Sequence, residues 1–409
     1  MRRVVVTGMG LISPLGNDPA GVYDRLLAGE SGIRRLPESF NVRLTSRIVA
    51  SAAFDGEQRL QGARLRMLDR VSQFALAACA EARADAQLAL GDEEANQFGV
   101  AIGTGMGGAQ STDDGSQIVY EQQSDRVAPF SVILAMNNAP ASWIGIEHGL
   151  QGPNLTYSTA CSSSAVAIGE AARRIAHGEV QVMIAGGTEA PLTFGTLKAW
   201  EALKTLAQED VGNPAASCKP FARNRTGLVL GEGAAILVLE DAEHARLRGA
   251  RLHAEVAGYG LATDTEHITR PSVGGQAKAM ALALASAGLA PSDVGYINAH
   301  GTGTQANDAV ETAAIKEVFG DAAGRCPISS TKSMHGHLLG AAGALEFIIA
   351  ILALQAGIVP PTAHLRIRDP ACDLDYIAEG ARRVDTLTAV MSNSFAFGGT
   401  NAVLIARRA

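Results

Sequence analysis

Short runs of β-branched and aliphatic residues alternate along this chain with alanine-rich segments of helical period, and that alternation confines the fold to the α/β class. Val4–Thr7, Gly99–Ile102, Val180–Ala185, Ala234–Leu239, His253–Gly258 and Tyr296–Asn298 read as strands. Asp69–Ala86, Ser162–His177, Gly274–Ala287, Asp308–Phe319 and Gly340–Ala356 read as helices. Near Ala250 the pattern restarts. Residues 253–300 again run strand, long loop, helix, strand, and end in a polar turn carrying His300, as the first half ends a comparable plan at Cys161. The expectation is two similar α/β halves, residues 1–250 and 251–409, facing each other; their likeness is one of plan, not of repeated sequence. Gln110–Ala128 and Gln208–Pro220 read as surface excursions. Hydrophobic residues make up 47% of the 409 and aromatics only 5%, so the interior is to be filled by Ala, Val, Leu and Ile. The 45 glycines imply many sharp turns and close backbone approaches.

A net charge of −7 offers no global basic field for nucleic acid. The cysteines at 79, 161, 218, 326 and 372 are odd in number and form no CxxC, which points to a reducing compartment without a disulfide framework. The apolar start at Val4-Val5-Val6 is too short and glycine-broken for a signal peptide. The longest apolar run, Leu345 to Leu354, is interrupted by Glu346 and falls short of the roughly 20 residues a membrane span needs. A soluble cytoplasmic protein, with no membrane partner, is the expectation.

Four clusters carry candidate chemistry. Cys161 lies in Ser158-Thr159-Ala160-Cys161-Ser162-Ser163-Ser164 at a strand-to-helix junction, where the helix dipole favours thiolate over thiol. Taken alone, the segment suits inert packing as well as a nucleophile. His300-Gly301-Thr302-Gly303-Thr304 follows a strand and offers an imidazole and two hydroxyls to a polar ligand; a histidine satisfied by its own turn fits equally. Ser329 to Gly343 brings Lys332, His335 and His337 before a helix of small residues. His335 and His337 suggest a metal pair, but no third ligand stands at a recognisable spacing, so no metal is expected. Ser392 to Asn401 interleaves Phe395, Ala396 and Phe397 with small residues, as suits a mobile loop presenting backbone N–H groups or a terminal core strand with its turn. Gly103-Thr104-Gly105-Met106-Gly107-Gly108 matches GxGxxG after a strand, yet residues 109–128 lack the helical period a dinucleotide fold needs there.

Together, Thr159-Ala160-Cys161-Ser162-Ser163, His300-Gly301-Thr302-Gly303-Thr304, Lys332-Ser333-Met334 with Gly336-His337, and Asn393-Ser394-Phe395 with Phe397-Gly398-Gly399-Thr400-Asn401 resemble the β-ketoacyl-acyl carrier protein synthases of the thiolase fold. The likeness is greatest to the elongating type II enzymes and related polyketide ketosynthases, and it runs in order from Val4-Val5-Val6-Thr7-Gly8 to Gly399-Thr400-Asn401. It implies a layered αβαβα arrangement and a 3-oxoacyl-acyl carrier protein synthase. An acyl chain would move from the carrier's phosphopantetheine to Cys161; malonyl carrier would then lose CO₂ and condense with it. His300 and His337 would stabilise the enolate, and the N–H groups of Cys161 and Phe397 would form an oxyanion hole, one such donor being worth roughly 3–4 kcal/mol. Lys332 and Glu311 match a buried charge pair that orders the site. Thr302 and Thr304 match hydrogen-bonding partners of the pantetheine arm, and Phe395 a further substrate contact.

The resemblance also implies that no cofactor is bound, substrates arriving on the carrier. Initiating synthases carry Asn at the position of His337, and thiolases use a second cysteine, so Cys161, His300 and His337 indicate decarboxylative elongation. A homodimer is expected, or a heterodimer with a related chain-length subunit. Met106 matches a position whose size limits acyl length, and its flexible thioether suggests a medium chain. Arg59, Arg64, Arg66 and Arg70 resemble a docking region for the acidic carrier, and equally a merely solvated charged face. Ala396 stands where the family usually has glycine, and Pro220-Phe221-Ala222-Arg223-Asn224-Arg225-Thr226-Gly227 lacks the usual aspartates. These departures and Ser162-Ser163-Ser164 lean toward a secondary-metabolite ketosynthase as the alternative to fatty acid elongation.

Overall fold

Val4–Ile12 (β1) is buried at all nine positions, as a strand covered on both faces must be. In the computed structural model, which describes residues 1–37, 43–60, 65–88 and 92–409, β1 lies near the middle of a ten-stranded sheet. Phe98–Gly103 (β2), Asn154–Tyr157 (β3), Val182–Glu189 (β4) and Gly233–Asp241 (β5) complete the first set of strands. Ala254–Thr263 (β6), Tyr296–Asn298 (β7), Ile328–Ser329 (β8), Ala389–Phe395 (β9) and Thr400–Arg407 (β10) form the second. Hydrogen bonding orders them β3-β2-β4-β5-β1 and β8-β7-β9-β10-β6. The pairings correspond one for one: β2 is parallel to β3 and β4, and β7 to β8 and β9, while the remaining neighbours are antiparallel. The two sets meet where β1 and β6 pair through Val5 with Glu255 and Val6 with Ala254.

Seven helices position the site: Arg70–Ala86 (α1), Ala139–His148 (α2), Ser163–Ala176 (α3), Phe194–Ala202 (α4), Val273–Ala287 (α5), Gln305–Phe319 (α6) and Ala342–Ala356 (α7). Phe74 of α1 and Ile144 of α2 share a core with Phe98 and Ile184 of the first sheet. Met280 of α5 and Ile315 of α6 do the same with Ile297 and Ile405 of the second. Ile168 of α3 and Phe347 of α7 pack between the sheets, in one core with Leu237 and Leu404. The result is the layered αβαβα arrangement of the thiolase-like fold. Among the described residues, Leu339–Ala356 is the one helical stretch long and apolar enough to cross a bilayer, and it is buried along most of its length in this interior layer.

The likeness of the two halves extends to a short stretch of sequence. Gly8-Met9-Gly10-Leu11 in β1 answers Gly258-Tyr259-Gly260-Leu261 in β6. A Cβ on Gly10 would lie 2.2 Å from the Ala78 carbonyl of α1, and one on Gly260 2.0 Å from the Ala279 carbonyl of α5. In each half the outer helix therefore rests on strand backbone, which only glycine permits. Gly10→Ala and Gly260→Ala are each expected to lower unfolding free energy by about 1–3 kcal/mol through overpacking. Gly115→Ala, where nothing lies within 4 Å, leaves it level or raised; urea unfolding of the three variants checks the contrast.

Candidate active site

β3 ends at Tyr157, and the chain enters a single 3-10 turn, Ala160–Ser162, that continues into α3. Ala160 takes φ +50°, the left-handed region that a Cβ resists, so Cys161 sits on a strained elbow. Its neighbours hold it there. Ser163 Oγ accepts from the Thr159 N–H at 2.9 Å and donates to the Ala160 carbonyl at 2.6 Å. Ser162 Oγ donates to the Thr159 carbonyl at 2.9 Å. Ser164 Oγ accepts from the Ala344 N–H of α7 at 2.9 Å, tying the two interior helices together. The hydroxylic run thus braces the elbow, and Cys161 is left buried at the start of α3.

β7 delivers His300 from the second half. Glu311, in the second turn of α6, accepts from the His300 N–H on Oε1 and from the Gly301 N–H on Oε2, each at 2.8 Å, and Asn393 Nδ2 donates to Oε1 at 3.2 Å. Glu311 is therefore a clamp on the His300 turn, which corrects its expected pairing with Lys332. The Lys332 ammonium meets Glu346 of α7 at 2.5 Å, with both side chains fully buried. Its Nζ also lies 3.5 Å from His300 Nδ1. The reason is positional: backbone donors occupy both Glu311 oxygens, while α7 carries its single carboxylate to the lysine.

His337 is fixed by its backbone, its N–H donating to Val229 O at 2.7 Å and its carbonyl accepting from Gly231 at 2.9 Å. Its ring is buried with neither nitrogen hydrogen-bonded. The His300 and His337 rings stand edge to face, 5.4 Å apart. The Cys161 sulfur and one nitrogen of each imidazole lie within 4.8 Å of one another. These three donors have the number and closeness of a metal site, but the Lys332 ammonium beside His300 opposes a second cation. His335 is spent on Thr331, its Nε2 lying 2.9 Å from the hydroxyl, so it does not join His337 in a pair.

A cavity of about 170 Å³ lies over the cluster. Thr302, Thr304, Phe395 and Phe397 line it with Cys161, His300 and His337. The Thr302 and Thr304 hydroxyls are 2.9 Å apart, and Phe395 packs edge-on to His300 at 5.9 Å. The backbone N–H of Phe397 faces the Cys161 sulfur closely enough to favour its thiolate.

Burial governs the electrostatics. It pushes the Cys161 thiol up to about 12; the Lys332 cation and the Phe397 N–H oppose it, while Glu189 and Glu346 add to it. The expected resting thiolate is corrected accordingly, because loss of water outweighs the favourable helix end. Burial first and Lys332 second hold His300 and His337 well below the usual imidazole range, so both are neutral at pH 7. With the lysine donating to its Nδ1, His300 carries its proton on Nε2. His337 keeps one N–H and one lone pair without a partner. Burial lifts Glu346 to about 7 against the pull of Lys332. A thiol, two neutral imidazoles and an aimed N–H beneath an apolar cavity suit covalent acyl transfer with oxyanion stabilisation.

Not every expected residue joins this site. Met106 is 38% exposed and does not line the cavity; its N–H is held by Glu189 Oε1 at 3.0 Å. Arg70 is committed inward, forked onto Glu232 at 2.8 and 3.0 Å and lying 4.5 Å over the Phe74 ring. Arg59 pairs with Glu81 at 3.1 Å on the surface, Arg66 is exposed, and Arg64 lies outside the described residues. Sequence reasoning missed Glu189 and Glu346. The signal for Glu346 was present: a lone glutamate inside an apolar helix has to find a cation. Glu189, which also accepts from Gly105 and Gly340 N–H at 2.7 and 2.8 Å and from the Thr104 hydroxyl at 3.2 Å, had no such signal, its partners being mostly backbone.

Comparison with known proteins places the chain in a family. The family descriptions "Beta-ketoacyl synthase, N-terminal domain" and "Beta-ketoacyl synthase, C-terminal domain" match residues 1–245 and 253–366. Nodulation protein E of Rhizobium meliloti (strain 1021) is 44% identical over 403 residues, covering 98% of each chain. The 3-oxoacyl-[acyl-carrier-protein] synthase 2 of Coxiella burnetii (strain RSA 493 / Nine Mile phase I) is 42% identical, covering 100% of this chain and 99% of its own. The solved structure of the ishigamide ketosynthase/chain length factor superposes with TM-score 0.91 at 34% identity, covering 100% and 99%. An elbow cysteine facing two histidines on a thiolase-like frame defines a condensing acyltransferase. The chain belongs to the β-ketoacyl synthase family.

Two outcomes test the electrostatic account. Iodoacetamide alkylation of Cys161, read by intact mass with Cys161→Ala as the blank, is expected to keep rising through about pH 9, where an unperturbed thiol levels off. Glu346→Ala, leaving Lys332 alone in the interior, is expected to cost about 3–5 kcal/mol in urea unfolding, and Lys332→Met with Glu346→Leu to recover most of it.

Proposed function

We propose that this chain is an elongating ketosynthase that joins an acyl group carried on Cys161 to malonyl-acyl carrier protein, releasing 3-oxoacyl-carrier protein, CO₂ and free carrier. The observation that carries the reading is the meeting of Cys161, His300 and His337 within 4.8 Å beneath one apolar cavity. In the first step the sulfur attacks the acyl thioester. The thiol proton passes to the free lone pair of His337 and on to the departing pantetheine thiolate. The Cys161 and Phe397 N–H groups hold the oxyanion. In the second step the malonyl carbon–carboxylate bond breaks, its electron pair flowing onto the thioester carbonyl. The Nε2–H of His300 and the N–H of His337 stabilise that enolate, whose carbon attacks the acyl-Cys161 carbonyl and expels the sulfur. Glu311 and the Lys332–Glu346 pair hold His300; Thr302 and Thr304 take the pantetheine arm, with Phe395 against the acyl end. No bound cofactor or metal has a part.

Fatty acid elongation is the first reading of the pathway. A secondary-metabolite ketosynthase is the second, favoured by the nodulation protein relative and by the ketosynthase/chain length factor neighbour. We read the protein as cytoplasmic, as two halves meeting near residue 250, and as a dimer. Among the described residues, strand β3 ends the first sheet with one side unpaired, and Tyr120, Phe130, Val132 and Ile146 are exposed apolar residues. A second copy is the first candidate for that edge and a related chain-length subunit the alternative. Met106, half-open in the single chain, would then help set acyl length. Arg59, Arg64 and Arg66 remain candidates for carrier docking; Arg70 is better read as a structural cation.

Intact-protein mass spectrometry with acyl carriers from C2 to C16, followed by malonyl carrier, tests the reading. Wild type should gain the acyl mass and Cys161→Ala should not. His300→Ala should still be acylated but lose condensation by about 100-fold. No acylation by any carrier would overturn the proposal for the isolated chain.

A further inference from the structure

Trp200 lies in the last turn of α4, three residues beyond buried Leu197, and it stands half-buried against the turn that joins β9 to β10. Its indole stacks on the ring of Phe397, centroids 5.9 Å apart and planes 20° from parallel. Both rings line the cavity over Cys161. The turn they meet on is otherwise held by few contacts. Gly398 N–H reaches the Ile268 carbonyl at 2.7 Å, Gly399 N–H the Ala396 carbonyl at 3.0 Å, and Asp264 N–H the Gly399 carbonyl at 2.9 Å. Gly398 and Gly399 take φ +83° and +79°, so the backbone after Phe397 has wide conformational freedom of its own. None of those hydrogen bonds involves the peptide N–H of Phe397, which lines the same cavity as Cys161 and faces its sulfur. The side chain beside that peptide lies nearly flat on Trp200.

We propose that Trp200 is a positioning residue, its indole holding Phe397 so that the Phe397 N–H stays on Cys161. The inference rests on the reading of Cys161 as the acyl acceptor and adds what keeps half of its oxyanion hole in place. α4 is a firm base for this: Thr193 caps it by accepting the Thr196 N–H at 3.2 Å, and Leu197 packs in the cluster that contains Cys161. Ala396 packs against the same cluster, so the whole turn leans on the α4 side of the cavity.

The test uses alkylation, which needs no carrier. The groups around the thiol (Lys332, Glu189, Glu346, His300 and His337) stay the same in every variant. Trp200→Leu is expected to slow iodoacetamide alkylation of Cys161 about five- to tenfold at fixed pH and to move its pH profile upward, since a donor to the sulfur is lost. Trp200→Phe, which keeps a stacking ring, should return the rate to within about twofold of wild type. Adding Phe397→Leu to Trp200→Leu should change little more, because the two rings act as one unit. With acyl carriers, kcat should fall while KM holds.

The chain has two tryptophans, so Trp143→Phe leaves Trp200 as the single indole, and its emission should shift when Phe397→Leu is added. That measurement keeps Trp200 itself intact and does not depend on the folding of Trp200→Leu. Wild-type alkylation in Trp200→Leu, independent effects of the two substitutions, a rise in KM at constant kcat, or unchanged emission would each overturn the proposal. Failure of wild type to accept any acyl group would refute the condensation reading instead, leaving the alkylation and emission tests standing.

Discussion

Lys332 and Glu346 meet in the layer between the two sheets with no exposed surface on either side chain, and the state of every reacting group depends on that pair. Burial holds His300 and His337 neutral, the ammonium adds to it, and its hydrogen bond leaves the His300 proton on Nε2. The ammonium also draws down the Cys161 thiol that burial and two carboxylates push up. Without Glu346 the lysine would be an uncompensated charge in an apolar interior, a costly state. The pair thus supplies positive potential to a dry site while keeping that site foldable.

The site exists only where the halves meet. The first supplies the elbow, with Ala160 in a strained conformation and three serines bracing it. The second supplies His300, Lys332, His337 and the Phe395–Phe397 turn. The Ser164–Ala344 hydrogen bond links α3 to α7, so Cys161 and Glu346 sit on joined elements. Glycines at 10 and 260 bring each outer helix onto strand backbone, and this tight packing gives the loops above a rigid base.

Carboxylates and arginines were where local reading of the chain failed. Glu311 was legible as a functional residue but not as a clamp, because its partners are backbone N–H groups that leave no mark in sequence. Arg70 looked like one of four surface cations until its fork onto Glu232 placed it inward. Met106 lies on the exposed rim of the single chain rather than in the cavity. Cys161 was rightly placed at a helix start, yet the thiolate inferred from the dipole gave way to burial, a quantity that only packing defines.

Sequence by itself determined the α/β alternation, the near-duplicate plan of the two halves and the four clusters that meet at the site, because strand and helix periods and reactive residue types are local properties. The tertiary structure decided the partners: Lys332 with Glu346, Phe397 with Trp200 and with the sulfur, Glu189 with three distant N–H groups. It also decided protonation. Charge in a protein interior is set by lost water and by neighbours brought from far along the chain, and neither can be read from residue order.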